Sequence, residues 1–466
     1  MTFSLPGKKT KQCLETGQRV FRNGLRYKAL SQQAKQKGFV APAQIIVGKA
    51  EGNYIWDLDG NQFIDFQNGW ATNPLGNCHP EIIEAVHSAH KRWGYHWEHP
   101  LRFELAEKLA EIMPGKQLPR FSFEVSGTEA VESAVHLALC HTQRRHIISF
   151  TSAFHGEGLG TKMISGYSSD NNLYMEAWTG GVIKAPYPYS EQIPADMTPD
   201  QYINYCLWYL ETHIPDFIAP AENIAAILVE PGLAEGGNWI PSTSFLQGIR
   251  RICDQHNWLM IADEVLTGLG RTGRMWSVEH YDIVPDILVV GKNLSGGIEP
   301  CAGVAARDDI LGDNPRATAG STFAGTPAGC AAGLKTLEIY HRDRIVDHAA
   351  HLALLAQQRM TGWAEKYIIV SEVRCLGLLM GISFGHPDTE IDPIWVARTV
   401  RDELLKKGVW AICNEESTLR MYPALNMNQE VFLLALDRVE EAIDTVNKSG
   451  KLVGDYPGMP TGVEGF

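Results

Sequence analysis

Seven short apolar runs recur between residues 121 and 306: FSFEV (121–125), HIISF (146–150), GVIKA (181–185), AAILVE (225–230), WLMIAD (258–263), DILVV (286–290) and AGVAA (302–306). Their length and their separation by helix-length stretches predict buried strands of a mostly parallel sheet. Upstream, NYIWDLDGNQFIDF (53–66) alternates apolar and polar positions on both sides of Asp59-Gly60, which predicts a hairpin. Residues 80–113 read as two helices, HPEIIEAVHSAHKRW and RFELAEKLAEIM. From about 328 onward the period is that of long helices, AGCAAGLKTLEIYHR and DHAAHLALLAQQRMTGWAEKY. Strand-like EVRCLGLLMGISF, VWAIC and TLRMYP follow, and the helix QEVFLLALDRVEEAIDTVNK comes last. Residues 1 to about 40 are expected to form a short helix with extended flanks lying on a partner subunit, and 457–466 a loose tail. The expected division is 1–79 (N-terminal segment and part of a small domain), 80–327 (large domain, α/β) and 328–466 (small C-terminal domain).

Three of the apolar runs end in, or just before, a polar residue: Glu230, Asp263 and Lys292. Parallel sheets place their chemistry at the carboxyl ends of strands. A lysine buried there can lose its proton and attack a carbonyl, forming a Schiff base. An aspartate facing it can keep a pyridinium nitrogen charged. Pyridoxal phosphate needs both, because its ring drains electrons only while that nitrogen holds its proton. Ser126, Gly127 and Thr128 stand where the run FSFEV meets the helix TEAVESAVHLALC. Free N–H groups and a helix dipole make that junction an anion site; taken alone, SGTE is also an ordinary helix cap.

Composition narrows the class. At 466 residues, 44% hydrophobic and 20% charged, the chain reads as a folded protein of two domains. A net charge of -13 argues against a nucleic-acid partner, and no run approaches membrane-spanning length. The nine cysteines are scattered without a CxxC pair, so reduced core thiols and a cytoplasmic location are expected. His87 with His90 and His96 with His99 have ligand-like spacings but no carboxylate support, so no metal is expected.

Eight segments occur in one order: SGTEAVESA (126–134), FHGEG (154–158), EPGLAEGG (230–237), ADEVLTGLGRTG (262–273), GKNLSGG (291–297), GSTFAGTPAGCAAG (320–333), VRCLGLLMG (373–381) and LRMYPAL (419–425). In this set and order the chain resembles the class III (omega-type) aminotransferases of pyridoxal phosphate fold type I. The resemblance implies an α/β large domain with a seven-stranded, mostly parallel sheet, and a smaller α+β domain built from both chain ends. It implies catalysis by Lys292 and Asp263, with the cofactor phosphate at Ser126, Gly127 and Thr128. Phe154 is expected to stack on the ring, beside His155 and Glu230, with Val265 against the other face. Ser321 and Thr322 belong to the cofactor set, and Thr322 is expected to reach the phosphate of the neighbouring subunit in a homodimer with shared active sites. Trp70 is expected at the substrate entrance, and Arg420 to clamp a substrate carboxylate, with Glu235 neutralising it when none is bound.

The implied reaction moves an amino group from an amine or amino acid to a 2-oxo acid, or the reverse. Alternatives on the same fold are a glutamate-1-semialdehyde-type aminomutase and an amino-acid racemase. A nicotinamide dehydrogenase would need a GxGxxG opening its first strand-helix unit, which is missing. A non-catalytic assembly protein would not need Lys292 and Asp263. Two residues depart from the pattern. Leu266 stands where the family commonly has a glutamine near the ring oxygen, and acidic Glu157 follows His155-Gly156 where relatives specialised for 4-aminobutyrate carry arginine. Glu157 is expected to repel a second carboxylate and favour a donor with a neutral or cationic far end.

Overall fold

All seven predicted runs become strands of one sheet in the computed structural model, which describes residues 5–20, 45–95, 98–166, 180–312, 320–385, 393–413 and 417–449. They are β1 (Arg120–Glu124), β2 (His146–Phe150), β3 (Val182–Ala185), β4 (Ile224–Val229), β5 (Leu259–Asp263), β6 (Ile287–Val290) and β7 (Ala302–Ala306). Their spatial order is β1-β7-β6-β5-β4-β2-β3, and only β7 runs antiparallel to its neighbours. Every residue of β4, β5, β6 and β7 is buried, which is why these runs carry no polar alternation. Each fully buried Ile, Leu or Val side chain contributes about 2 kcal/mol relative to exposure. The helix Gly127–Thr142 joins the same core through Ala130, Val131, Ala134, Leu137 and Ala138.

This sheet belongs to a compact unit of residues 80–349. The boundary expected after 327 falls instead after Ala349. The helix Pro327–Arg342 explains the difference, because its apolar face packs on the helices Pro80–Arg92 and Pro100–Ile112 of the large unit. A Cβ at Gly333 would lie 2.9 Å from Leu105 Cδ2, and Arg342 grips both carboxylate oxygens of Glu81 at 2.8 and 2.9 Å. Periodicity shows that such a helix has an apolar stripe, not which neighbour covers it.

The amino ends of the central strands are closed by a charge network. Asp286, just before β6, is 5% exposed; it accepts from Met260 N at 2.7 Å and from Arg250 Nη1 at 2.8 Å, and Arg307 holds its other oxygen. Arg250 also meets Asp254 at 2.8 Å. Arg144 donates to the carbonyls of Ile224 and Asn257, both at 2.9 Å.

Residues 1–79 and 350–466 form the second unit. The predicted hairpin is present as strands Tyr54–Asp57 and Gln62–Asp65, with Val47–Glu51 beside them and Val409–Trp410 parallel to the last. The Asp57 carboxylate accepts from Asp59 N and Asn61 N at 2.9 and 2.8 Å, closing the turn. Asp59 in turn caps the helix Lys8–Val20, accepting from Lys9 N at 2.8 Å. A second sheet orders Val370–Leu376, Leu379–Phe384, Thr418–Met421 and Ile412–Cys413, all antiparallel. The expected tail at 457–466, most of the expected flank of the first helix, His96, and parts of the loops 164–180 and 413–419 lie outside the described residues. Among the described residues no helix is long and apolar enough to cross a membrane, and no three His, Cys, Asp or Glu converge as a metal site.

Candidate active site

β4, β5 and β6 are neighbours and parallel, with Val229 opposite Ala262 and Asp263 opposite Val289. Glu230, Asp263 and Lys292 therefore leave adjacent strands along one edge of the sheet, at its carboxyl side. That edge is where open α/β sheets bind ligands.

Asp263 is held from two directions. Its Oδ1 accepts from Val265 N at 3.1 Å, and its Oδ2 lies 2.8 Å from His155 Nδ1. Both side chains are buried, and His155 Nε2 has no hydrogen-bond partner among the described residues. Lys292 follows an extended Gly291 and takes φ +40°, left-handed for a residue with a side chain. Such a conformation costs about 1 kcal/mol, and persists where the surroundings fix it for another purpose.

Glu230 accepts from Phe154 N at 2.7 Å and from Ala234 N at 3.3 Å, so it fixes the loop that carries Phe154 and His155. Burial first, and the charge of Asp263 second, push its carboxyl well above the ordinary range; the two N–H donors and Lys292 offset only part of this. Tyr187 adds a hydroxyl donated to the Glu230 carbonyl at 3.1 Å.

The anion site is built at the start of the helix Gly127–Thr142. Ser126 Oγ accepts from Glu129 N at 3.2 Å, while Glu129 Oε2 takes Val125 N at 3.0 Å. Ser126 is therefore a helix cap, and its hydroxyl proton remains available to an anion. A Cβ at Gly127 would come within 2.9 Å of Val265 Cγ1, and one at Gly291 within 3.4 Å of the same atom. Val265 thus fills the space between the anion loop and the turn that carries Lys292. Thr128 Oγ1 accepts from Glu157 N at 3.3 Å, and Ser321 Oγ donates to Glu129 Oε2 at 3.4 Å. Thr322 is exposed, next to Phe323, which is 60% exposed and meets the Tyr95 ring edge-on at 5.2 Å.

These residues fit pyridoxal phosphate. Helix N–H groups with Ser126 and Thr128 suit the phosphate, Asp263 suits the ring nitrogen, and the Lys292 amine suits the aldehyde. Leu266, in place of a polar residue, is 6% exposed and offers no hydrogen bond. Of the substrate candidates, Glu235 lies half-buried in the loop after Glu230. Trp70 and Arg420 belong to the second unit, where the guanidinium sits 5.7 Å from the Trp70 ring centroid and 3.5 Å from Tyr422 Oη. Arg420 is 2% exposed. Trp70 lies in a left-handed turn, with φ of 55–62° from Asn68 to Ala71, pinned by Asp65 at Gln67 N and Asn68 N. Sequence reasoning missed Tyr187, Ser165 and Lys184. The partners of Tyr187 and Lys184 lie 43 and 35 positions away, that of Ser165 only 10, and no local motif marks any of them.

Comparison with known proteins agrees with this chemistry. A family model described as Aminotransferase class-III matches residues 36–443. The chain is 32% identical over 413 residues to a probable 4-aminobutyrate aminotransferase of Bacillus subtilis, covering 87% of this chain and 91% of that protein. It is 30% identical to an alanine/serine racemase of Pyrococcus horikoshii, over 94% of this chain and 91% of that protein. An amine transaminase from an uncultivated Pseudomonas species, solved in its PLP-bound form, superposes with a TM-score of 0.79 at 26% identity, covering 86% of this chain and 95% of that one. The chain belongs to the class III aminotransferases, enzymes of pyridoxal phosphate fold type I that move an amino group between an amine or amino acid and a 2-oxo acid.

Proposed function

We propose that this aminotransferase draws its amino group from a donor whose far end carries no second carboxylate, and that Lys292 and Asp263 perform the chemistry. The observation that carries the donor class is Glu157. It is exposed, follows His155-Gly156, and is tied to the anion loop through Thr128. Lys162 lies 2.9 Å from Glu157, so the local charge is close to balanced and gives a distal carboxylate no reason to dock.

When bound, pyridoxal phosphate supplies an aldehyde and a protonated ring that withdraws electrons from the substrate carbon. Asp263 keeps the proton on the ring nitrogen, and His155 fixes the carboxylate's orientation. The Lys292 amine would hold the aldehyde of the bound cofactor and, when free, would take the proton from the substrate carbon as general base and return it as general acid. Glu230, whose carboxyl burial and the neighbouring Asp263 push upward, anchors the loop bearing Phe154. Arg420 takes the carboxylate of the amino acid or 2-oxo acid. Exposed Thr322 and Phe323 support a homodimer in which Thr322 completes the partner's phosphate site, and nine free cysteines support a cytoplasmic setting.

The test is a donor comparison at fixed 2-oxoglutarate between 4-aminobutyrate and 1,4-diaminobutane, which differ only at the far end. The diamine is expected to be turned over faster; strong preference for 4-aminobutyrate overturns the donor class. Similarity to a named racemase favours one second reading. Inversion of L-alanine without consumption of a 2-oxo acid establishes it.

A further inference from the structure

Lys184 is a half-buried lysine on β3, an edge strand, directly opposite Ser149 of β2. Its Nζ donates to Ser149 Oγ at 2.8 Å, to the Ser165 carbonyl at 3.0 Å and to the Ile164 carbonyl. Ser149 Oγ donates to that same Ile164 carbonyl at 2.7 Å. Its acceptors are two carbonyls and a hydroxyl, and among the described residues no ion pair offsets the desolvation of the amine. Burial pushes Lys184 down to about 7. An apolar side chain at this edge would avoid that cost but would give up the hold on the carbonyls of Ile164 and Ser165.

The segment it holds leads to the active site. Ser165 Oγ accepts from His155 N at 2.9 Å and donates to Thr161 O at 2.8 Å. Gly166 N donates to Ala153 O at 2.8 Å, and Ser152 N to Gly166 O at 2.8 Å. A Cβ at Gly166 would stand 2.4 Å from the Phe150 carbonyl, so the two segments lie as close as backbones can. His155 then reaches Asp263 Oδ2 at 2.8 Å. We propose that Lys184 is a positioning residue, which orients the Asp263 carboxylate through Ser165 and the main chain of His155. Lys184 sets where residues 164–166 lie, Ser165 sets where His155 begins, and the ring of His155 sets how Asp263 turns. The proposal rests on Asp263 serving the ring nitrogen.

The experiment uses the holoenzyme and the pH midpoint of its visible cofactor band, with the cofactor dissociation constant and the melting temperature beside it. Lys184→Met and Ser165→Ala are each expected to move the midpoint by about half a pH unit and weaken cofactor binding roughly threefold to tenfold. Lys184→Arg is expected to keep most of the wild-type midpoint. The double variant is expected to shift no further than the larger single one, because both act on one path. A wild-type midpoint in Lys184→Met, or additive shifts in the double variant, overturns the proposal even if melting falls. Should Lys184→Met fail to fold, Ser165→Ala decides: an unshifted midpoint there overturns it as well. Asp263→Asn is measured in parallel. If that variant leaves the band unmoved, the role of Asp263 fails and the proposal with it; if it alone moves the band, only the path from Lys184 fails.

Discussion

The two ends of β4, β5 and β6 are made of the same kinds of residue and finished in opposite ways. At the amino ends, buried Asp286 is matched by Arg250 and Arg307, and Arg144 is spent on backbone carbonyls. At the carboxyl ends, Asp263 adds to burial in raising the Glu230 carboxyl, His155 Nε2 lacks a partner among the described residues, and Lys292 holds a left-handed backbone. At the amino ends the charges are matched within the chain, although Arg250 Nε too lacks a partner among the described residues; the carboxyl ends, on the function proposed above, are arranged around a group they receive. A site preorganised for a charged cofactor looks unfinished without it, because donors and acceptors aimed at the ligand have no equal elsewhere in the chain.

Substitutions at the carboxyl ends should therefore remove activity and spare folding. The largest effect is expected for Lys292→Ala, which on the proposed mechanism deletes both the attachment point and the proton carrier. Turnover should fall at least ~10⁴-fold with little change in melting temperature. Steady-state rates and a thermal melt check this, and a collapse of melting would place Lys292 among structural residues. Asp263→Asn comes next. An amide can still accept from His155 but cannot stabilise a ring proton, so kcat should drop roughly 10³-fold while KM changes little. A loss confined to KM would mean that Asp263 only shapes the pocket.

The same contrast governs what could be seen in the sequence. Glu230, Asp263 and Lys292 were legible because each stands at or just past the end of an apolar run, where a buried strand must stop. The seven strands were legible to within a residue at each end, and β4 to β7 most plainly, since full burial leaves an uninterrupted hydrophobic signature. Ser165, Tyr187 and Lys184 were not, because their roles arise from side-chain pairings between a strand or loop and another segment that no local pattern announces. The turn carrying Trp70 was not legible either. Only Asn68-Gly69 hints at a left-handed backbone, and nothing marks Trp70 and Ala71 as sharing it. The end of the large unit eluded the sequence because an apolar stripe on Pro327–Arg342 fits more than one partner.

Breaking the amino ends should give the reverse phenotype. Asp286→Ala leaves Arg250 and Arg307 facing each other without the carboxylate between them and strips Met260 N of its acceptor. A loss of about 3–5 kcal/mol is expected. The kcat per correctly folded molecule should stay within about twofold, since no atom of this network reaches the carboxyl edge. Denaturant melts and active-site titration with the cofactor separate the two quantities. A kcat that fell with stability intact would show that the ends are coupled through the strands.

The smallest effect sharpens the comparison by pH. Glu264 follows Asp263 directly, yet it turns away to accept from Thr267 Oγ1 at 2.7 Å, Ser277 N at 3.0 Å and Val278 N at 2.8 Å. Burial outweighs these donors and pushes its carboxyl up to about 7. The folded state then binds this proton more tightly than the unfolded chain does, whose glutamate has the ordinary 4.5. The contribution to stability is complete below about 4.5 and is lost as pH rises through about 7. Integrated over that window it amounts to at most roughly 3 kcal/mol. Melting temperature should therefore carry a downward term between pH 5 and 7 that Glu264→Gln removes, whatever the variant's absolute stability. If the slope survives in Glu264→Gln, Glu230 becomes the group to substitute next, because the same sign of linkage applies to it over a higher range of pH.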